Sequence, residues 1–303
     1  MKILVTGGTG FIGERLVAAL GRRGDDVTVL SRRAGGSGKV RQVVWTPEQK
    51  GHWLDEVAQA DAVIHLAGAG IMDRRWSDEH LRTCRDSRVL PTALISEALA
   101  ARGSGTLVSA SAVGYYGFRD DDRTCDESSP EGDDVLAHMC AEWEASTSAA
   151  ESAGVRVSRA RIGVVLGSGG GALAQMLPVF KLGLGGPLGN GRQMLPWIAV
   201  DDAVRALLFA LDTPGFEGPF NVTAPTPVSM NHFAKELGAA LGRPAFFRVP
   251  GFALRAVVGG GASVVLTGQN AVPKKLLDSG FSFCYPELGG ALRAALTEGE
   301  SAA

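Results

Sequence analysis

A short run, Lys2-Ile3-Leu4-Val5-Thr6, is long enough for a buried strand and too short for a helix, and it empties directly into Gly7-Gly8-Thr9-Gly10-Phe11-Ile12-Gly13. No other stretch narrows the accessible folds so far. Gly7, Gly10 and Gly13 recur at a spacing of three; the first two let the backbone turn tightly and approach a phosphate with no Cβ in the way. The third lets the following helix, Glu14 to Leu20 with Leu16, Val17 and Leu20 inward, lie close on a sheet. The amides at that helix start, in the stretch holding Thr9, Phe11 and Ile12, would face a pyrophosphate, which the helix dipole also favours.

The helix ends at Arg22-Arg23-Gly24, and a second apolar run, Val27-Thr28-Val29-Leu30, follows at the distance a βαβ unit requires. At its end, where an NAD site places an Asp or Glu for the ribose 2′-hydroxyl, the chain has Ser31-Arg32-Arg33. Two cations and a hydroxyl suit a 2′-phosphate, so the expected cofactor is NADP(H).

At 303 residues the chain has room for two domains, or for one large α/β domain with an appended lobe. Hydrophobic residues make up 45% and charged ones 20%, enough for a sizeable core. A net charge of −2 and the lack of a basic, aromatic-interleaved patch argue against nucleic-acid or anionic-membrane partners and leave a small-molecule substrate. Cys84, Cys125, Cys140 and Cys284 are scattered without ligand spacing, so they read as reduced thiols with no metal site. No charged-then-apolar leader and no apolar run near the ~20 residues of a membrane span are present, and a cytoplasmic location is expected.

The loop Ala34-Gly35-Gly36-Ser37-Gly38 precedes a third strand, Val40 to Trp45, and Asp61 to Gly68 supplies a fourth. Its end, Leu66-Ala67-Gly68, would line the adenine and ribose side of the cofactor through backbone contacts, with His65 a core-edge residue of no chemistry. Ser77 caps a helical region reaching Ala101, which Pro91 should kink or restart. Within it, Arg88 either reaches back to a phosphate or is solvated. Thr106 to Ser111 is a fifth strand ending in hydroxyls, a place where a reacting carbonyl or alcohol is held. The acids Asp120, Asp121, Asp122, Asp126, Glu127, Asp133 and Asp134 lack ligand spacing and read as a solvated loop. A helix over Val135 to Glu151 turns Leu136, Met139, Cys140 and Trp143 inward, and Val155 to Gly167 is a sixth strand carrying two further cofactor-side candidates, Arg161 and Val165. The expected fold is α/β, a doubly wound parallel (Rossmann) sheet: residues 1–167 form the cofactor domain, and 168–303 a smaller, glycine-rich substrate lobe with a C-terminal domain, some of whose segments, such as Phe220 to Thr223, return to the sheet. Phe180, Met194 and Trp197 either shape its pocket or fill its core.

The glycine turn, Ile64-His65-Leu66-Ala67-Gly68, the Ser-rich fifth strand followed by Tyr116-Gly117, and Trp197-Ile198-Ala199-Val200-Asp201-Asp202 together resemble the extended short-chain dehydrogenase/reductase superfamily, which contains the nucleotide-sugar epimerases and dehydratases. More narrowly, the chain resembles the atypical "epimerase family protein" branch, which ends in a small C-terminal domain of unknown function. That likeness rests on Leu66 to Ile71, Arg75-Trp76, Gly114-Tyr115-Tyr116-Gly117, Gly163 to Gly167, Gly170-Gly171-Ala172, Leu184 to Gly189, Gln269 to Gly280 and Phe281 to Leu288, nearly the whole chain. The resemblance implies hydride chemistry, for which active members use a Tyr-x-x-x-Lys pair on the helix after strand five and a Ser or Thr at the strand end. Here the corresponding helix positions are Leu136 and Cys140, and none of Tyr115, Tyr116 and Tyr285 has Lys four residues on. Three readings follow. In the first, an NADP(H)-dependent oxidoreductase of a small carbonyl or alcohol uses Ser111 to orient the substrate and Tyr115 or Tyr116 as proton donor, with Arg161 as the assisting cation, a cofactor contact or a structural ion pair. In the second the chain binds NADP(H) as a sensor or scaffold without turnover. The third, a nucleotide-sugar epimerase, fares worst without Tyr-x-x-x-Lys.

Overall fold

The computed structural model of the protein describes residues 1–33, 40–119 and 121–301, so the glycine-rich loop 34–38 and Asp120 lie outside the described residues. The amino-terminal part runs β1 (Lys2–Thr6), α1 (Phe11–Arg23), β2 (Asp26–Ser31), β3 (Arg41–Val44), α2 (Trp53–Gln59), β4 (Ala62–His65), α3 (Asp78–Arg102) and β5 (Thr106–Ala112). A 3-10 turn (Val113–Tyr116), β6 (Thr124–Cys125), α4 (Val135–Ala145), α5 (Ser148–Ser152), β7 (Arg156–Ile162) and β8 (Val164–Leu166) follow. Beyond them come α6 (Gly171–Lys181), β9 (Met194–Leu195), β10 (Trp197–Ala199), α7 (Val200–Asp212), β11 (Gly218–Val222), β12 (Val228–Ser229) and α8 (Met230–Leu241). The chain closes with α9 (Gly251–Val258), a 3-10 turn (Gly259–Ala262), α10 (Ser263–Leu266), β13 (Asn270–Ala271), α11 (Lys274–Asp278) and α12 (Leu288–Ser301).

Seven strands, one more than the six expected from the doubly wound part, form a single sheet in the order β11-β7-β5-β4-β1-β2-β3, every neighbouring pair parallel. Residues alternate across it: Ile3 and Val5 pack with Leu16 and Leu20 of α1 and Leu207 of α7, while Leu4 packs on the other face with Val57 of α2 and Ile95 and Leu99 of α3. Burial on both faces is why the strands read as continuous apolar runs. The sheet direction of travel reverses between β1 and β4, the switch point where such sheets bind ligands at their carboxyl edge.

Three local expectations change. The sixth strand is broken at Gly163, where a Cβ would lie 2.2 Å from the Pro196 carbonyl oxygen; β7 stays in the sheet, and β8 leaves it to pair with β10. Its vacated edge is extended by β11, from the segment after 167. Helix α3 runs unbroken through Pro91, because Pro91, Thr92, Ile95, Ser96 and Leu99 are buried along one face and that packing outweighs one missing amide donor. The helix expected over Val135 to Glu151 is two, since the hydroxyls of Ser146 and Thr147 donate to the carbonyls of Trp143 and Glu144, at 2.6 and 2.8 Å, and close off the first helix. A second core, from Phe180, Trp197, Phe233, Leu237 and Leu292, fills the lobe, so Phe180 and Trp197 are core and not pocket wall. Among the described residues no helix is long and apolar enough to cross a membrane.

Candidate functional site

At the end of β1, Gly7 takes φ +68, and a Cβ there would sit 2.8 Å from the Leu66 carbonyl carbon. Gly13 presses onto the same turn, where its Cβ would meet the Gly7 oxygen at 2.0 Å. The Gly10 amide donates to the Gly7 carbonyl at 3.0 Å, and Glu14 makes the first helical bond, to Gly10 at 2.9 Å. Gly10 caps α1 with no side chain, so the amides of Phe11, Ile12 and Gly13 have no partner within the helix and the dipole's positive end is open. This cradle, which a Cβ would fill, fits a pyrophosphate. The Phe11 side chain turns away from it into a slot left by Gly167 and Gly170, whose Cβ atoms would lie 2.9 and 2.5 Å from the ring, so Phe11 offers the groove its amide alone. Val165, the cofactor-side candidate on β8, packs its side chain in the main core with Ile198 and Val200.

Beneath the turn, the Thr6 hydroxyl accepts the amides of Leu66 (3.2 Å) and Ala67 (3.1 Å) and donates its own proton to His65 Nδ1 at 2.6 Å. Complete burial, with a smaller contribution from Arg88, pushes His65 down to about 3, so the ring is neutral. It is a strut that shapes the Leu66-Ala67-Gly68 segment, and Thr6 is the partner that sequence reading overlooked.

At the end of β2, Arg32 and Arg33 are exposed, and the Arg33 amide donates to Ser31 Oγ at 3.4 Å. Among the described residues neither guanidinium pairs with a carboxylate. Across β1, the Ala69 amide donates to Ser87 Oγ at 3.0 Å, and Arg88 lies against Gly68, where a Cβ would be 3.2 Å from its Cζ.

The end of β5 is different in kind. Ser111 donates to Glu144 Oε1 at 2.7 Å, and Glu144 receives Arg161 in a two-pronged pair, Nε to Oε1 at 2.8 Å and Nη2 to Oε2 at 2.9 Å. Arg161 Nη1 donates to the Tyr116 hydroxyl at 3.1 Å, which donates in turn to Asn221 Oδ1 at 2.7 Å, and the guanidinium carbon lies 3.5 Å from the Tyr115 ring centre. Burial opposes the charge on Arg161, yet Glu144 more than offsets it and holds the guanidinium above its ordinary value. Burial drives the Tyr116 phenol far up, against the weaker pull of Arg161 and Asn221.

These contacts revise the catalytic expectations. Tyr116 is 1% exposed, and its hydroxyl both donates to Asn221 and accepts from Arg161. Ser111, 2% exposed, gives its proton to Glu144 instead of a carbonyl. Arg161 forms the ion pair with Glu144. Tyr115 is half-buried, and its hydroxyl has no hydrogen-bond partner among the described residues. Leu136 and Cys140 both face the turn, their Cβ and Sγ lying 3.7 and 3.6 Å from where a Gly114 Cβ would be. Burial pushes the Cys140 thiol up to about 12, so it offers no base.

The acidic loop is also not merely solvated. Asp134 caps α4 by accepting from Leu136 (2.9 Å) and Ala137 (3.2 Å), and Glu127 accepts from the amides of Asn221 (2.9 Å) and Lys275 (3.2 Å), tying the site to the C-terminal segment. Glu144 and Asn221 were missed in the sequence. Their signal was a charged residue one helical turn after Cys140 on an apolar face, and an amide inside the apolar run Phe220 to Val222.

The model of the NAD dependent epimerase/dehydratase family matches residues 3–223, and that of a domain of unknown function, DUF1731, matches residues 249–295, opening just before α9 and closing within α12. The chain is 42% identical over 298 residues to the epimerase family protein Mb2239 of Mycobacterium bovis, with 97% of each covered. The crystal structure of human epimerase family protein SDR39U1 (isoform 2) with NADPH is 35% identical and superposes with a TM-score of 0.86, covering 98% of this chain and 99% of that one. A nucleoside-diphosphate sugar epimerase from Corynebacterium glutamicum is 33% identical with a TM-score of 0.78, covering 98% of this chain and 58% of the other.

Proposed function

Since the chain belongs to the NAD dependent epimerase/dehydratase family, we propose that it is an NADP(H)-dependent oxidoreductase of a small carbonyl or alcohol compound, with Tyr115 as its proton donor. The pyrophosphate is held at the amides of Phe11 to Gly13, with Thr9 and Gly10 on the turn, and the 2′-phosphate by Ser31, Arg32 and Arg33. Leu66, Ala67 and Gly68 line the groove with backbone. The human relative crystallised with NADPH supports the choice of cofactor. When bound, the cofactor supplies or accepts a hydride.

The observation that carries the reading is the Tyr115 hydroxyl: at the carboxyl end of the sheet, beside the switch point's nicotinamide side, it is the phenol left unpartnered while Tyr116, Ser111 and Arg161 are consumed in holding the turn. Tyr115 gives a proton to the substrate oxygen, and the Arg161 guanidinium, 3.5 Å from its ring centre, holds the ring in place. NADPH oxidation over a panel of aldehydes and ketones tests this. Tyr115→Phe should lower turnover by about a hundredfold or more, the usual worth of a positioned acid. Unchanged turnover in Tyr115→Phe sinks the assignment.

A second reading, an NADP(H)-binding sensor without turnover, is favoured by Leu136 and Cys140 at the Gly114 turn. It predicts tight NADPH binding with no oxidation across the whole panel. The same two residues count against sugar epimerisation, and the net charge of −2 supports a small-molecule ligand over nucleic acid or a membrane surface.

A further inference from the structure

Of the twelve large hydrophobic side chains exposed among the described residues, seven lie on two segments of the carboxyl-terminal lobe, 179–184 and 246–257, so this apolar surface is a patch and not a scatter. Leu182, Leu184, Phe246, Phe247, Phe252 and Val257 stand out at 46–77% exposure. The two segments are stitched side by side. The Phe247 amide donates to the Gly185 carbonyl at 3.1 Å, Val249 to Pro187 at 3.1 Å and Gly189 to Val249 at 2.9 Å, and a Cβ on Gly183 would lie 3.6 Å from the Pro244 ring. The Phe246 and Phe247 rings meet with centres 4.5 Å apart. Helix α9 follows at once with none of its residues buried; Phe252, Arg255 and Ala256 share its outer face at i, i+3 and i+4, with Val257 beside them. The loop after β4 braces it: Arg75 donates to the Ala256 carbonyl at 3.3 Å, and Gly260 and Gly261, in the turn beyond α9, pack on the Trp76 indole.

Charge along these segments has one sign. The chain holds no Asp or Glu from 152 to 200 or from 237 to 277, and Lys181, Arg243, Arg248 and Arg255 stand exposed among the apolar tips. Arg248 is fixed by donating to the Gly189 carbonyl and to Asn231 Oδ1, both at 3.0 Å, and among the described residues none of the four pairs with a carboxylate. We infer that this face docks on an anionic lipid surface, the phenylalanine and leucine tips entering the headgroup layer and the four cations meeting lipid phosphates. A bilayer senses charge within a Debye length, about 8 Å at physiological ionic strength, so the local excess of cations decides. The whole-chain charge of −2 averages over that asymmetry and bears on the ligand of the cofactor groove, not on this face. The apolar tips project separately from two loops and a surface helix, which suits a fluid layer better than the packed pocket in which the anchor residues of a protein partner sit.

Flotation of the protein with lipid vesicles tests this. Vesicles of equal parts phosphatidylglycerol and phosphatidylcholine should bind it at least about tenfold more tightly than phosphatidylcholine alone, and salt at about 0.5 M should remove most of that preference. Arg243→Gln and Arg255→Gln should each weaken binding by about fivefold, the worth of one basic residue at such a surface. Phe246→Ser combined with Phe252→Ser should weaken it by about ten- to a hundredfold. The arginine variants remove no apolar contact, and decide the matter if the serine pair fails to fold. No binding to the anionic vesicles, equal binding to both kinds, or binding that none of these substitutions alters overturns the inference. So does a wild-type chain that is dimeric by analytical ultracentrifugation and becomes monomeric in the serine pair, because a second copy then covers the patch.

Discussion

Arginines stand at both ends of the carboxyl edge of the sheet, and they are spent in opposite ways. Arg32 and Arg33, after β2, are exposed with no carboxylate partner among the described residues. Arg161, at the end of β7, is 3% exposed and gives its donors to Glu144, Tyr116 and the Glu127 carbonyl. An exposed, uncommitted cation costs the fold little and keeps its charge for a ligand. A buried one must be matched inside the protein, and once matched it has nothing left to offer. Position at a strand end therefore does not distinguish a binding arginine from a framing one; the presence of an internal anion does.

The sharpest way to break this contrast is to remove the buried cation. Arg161→Met leaves Glu144 charged beside Ser111 with only the distant Arg159, Nε at 4.0 Å, as a cation, and should cost about 3 kcal/mol of stability by urea unfolding. The same substitution at Arg32 should stay within about 0.5 kcal/mol. Similar losses at the two sites would erase the distinction.

Acid should expose a second framing group, His65. Its folded value, about 3, lies below the ordinary 6.5, so between these limits the unfolded chain binds a proton that the folded one does not. The stability that this depressed value confers is complete above about pH 6.5 and is lost as pH falls through that window, by about 2 kcal/mol between pH 7 and 5. In His65→Gln that share of the slope should vanish. An unaltered slope would mean that the ring is solvated in the native state.

For the exposed pair the readout is ligand affinity. Arg32→Ala should weaken NADPH by about 1.5–3 kcal/mol in calorimetric titration and leave NADH nearly unaffected, because the lost contact is to the 2′-phosphate. Equal loss for both cofactors would assign Arg32 to the common part of the dinucleotide.

What could be read without coordinates divides along the same line. The glycine turn was legible because Gly7 and Gly13 answer to contacts within one βαβ unit, and the short spacing of that unit writes them into adjacent residues. The return of β11 to the sheet was legible as the apolar run Phe220 to Thr223, but the break at Gly163 was not, because it answers to Pro196, far along the chain. Ser111, Glu144, Arg161 and Asn221 lie on β5, α4, β7 and β11, and only the sheet order brings them together. Periodicity says that each faces inward; it does not say which inward face meets which. That is why Ser111 and Tyr116 read as chemistry from the sequence, while the fold engages their hydroxyls with Glu144, Asn221 and Arg161.

The adjacent tyrosines give the finest test of that division, with the smallest effect on stability. Both rings sit at the Arg161 guanidinium, 3.5 Å from it for Tyr115 and 5.2 Å for Tyr116, and they meet edge to face with centres 5.6 Å apart. Removing the Tyr116 hydroxyl deletes the donor to Asn221 Oδ1 and the acceptor for Arg161 Nη1, so Tyr116→Phe should cost about 1–2 kcal/mol, the worth of a buried hydrogen bond together with a donor left unmatched. Tyr115→Phe removes a hydroxyl that no described group engages, and should change stability by less than about 0.5 kcal/mol. In activity the order should reverse, with Tyr115→Phe losing turnover and Tyr116→Phe retaining it once the fold is held by low temperature. A Tyr116→Phe variant that is fully stable yet inactive would move the proton donor one residue along the chain, and would make the inward phenol, not the open one, the reacting group.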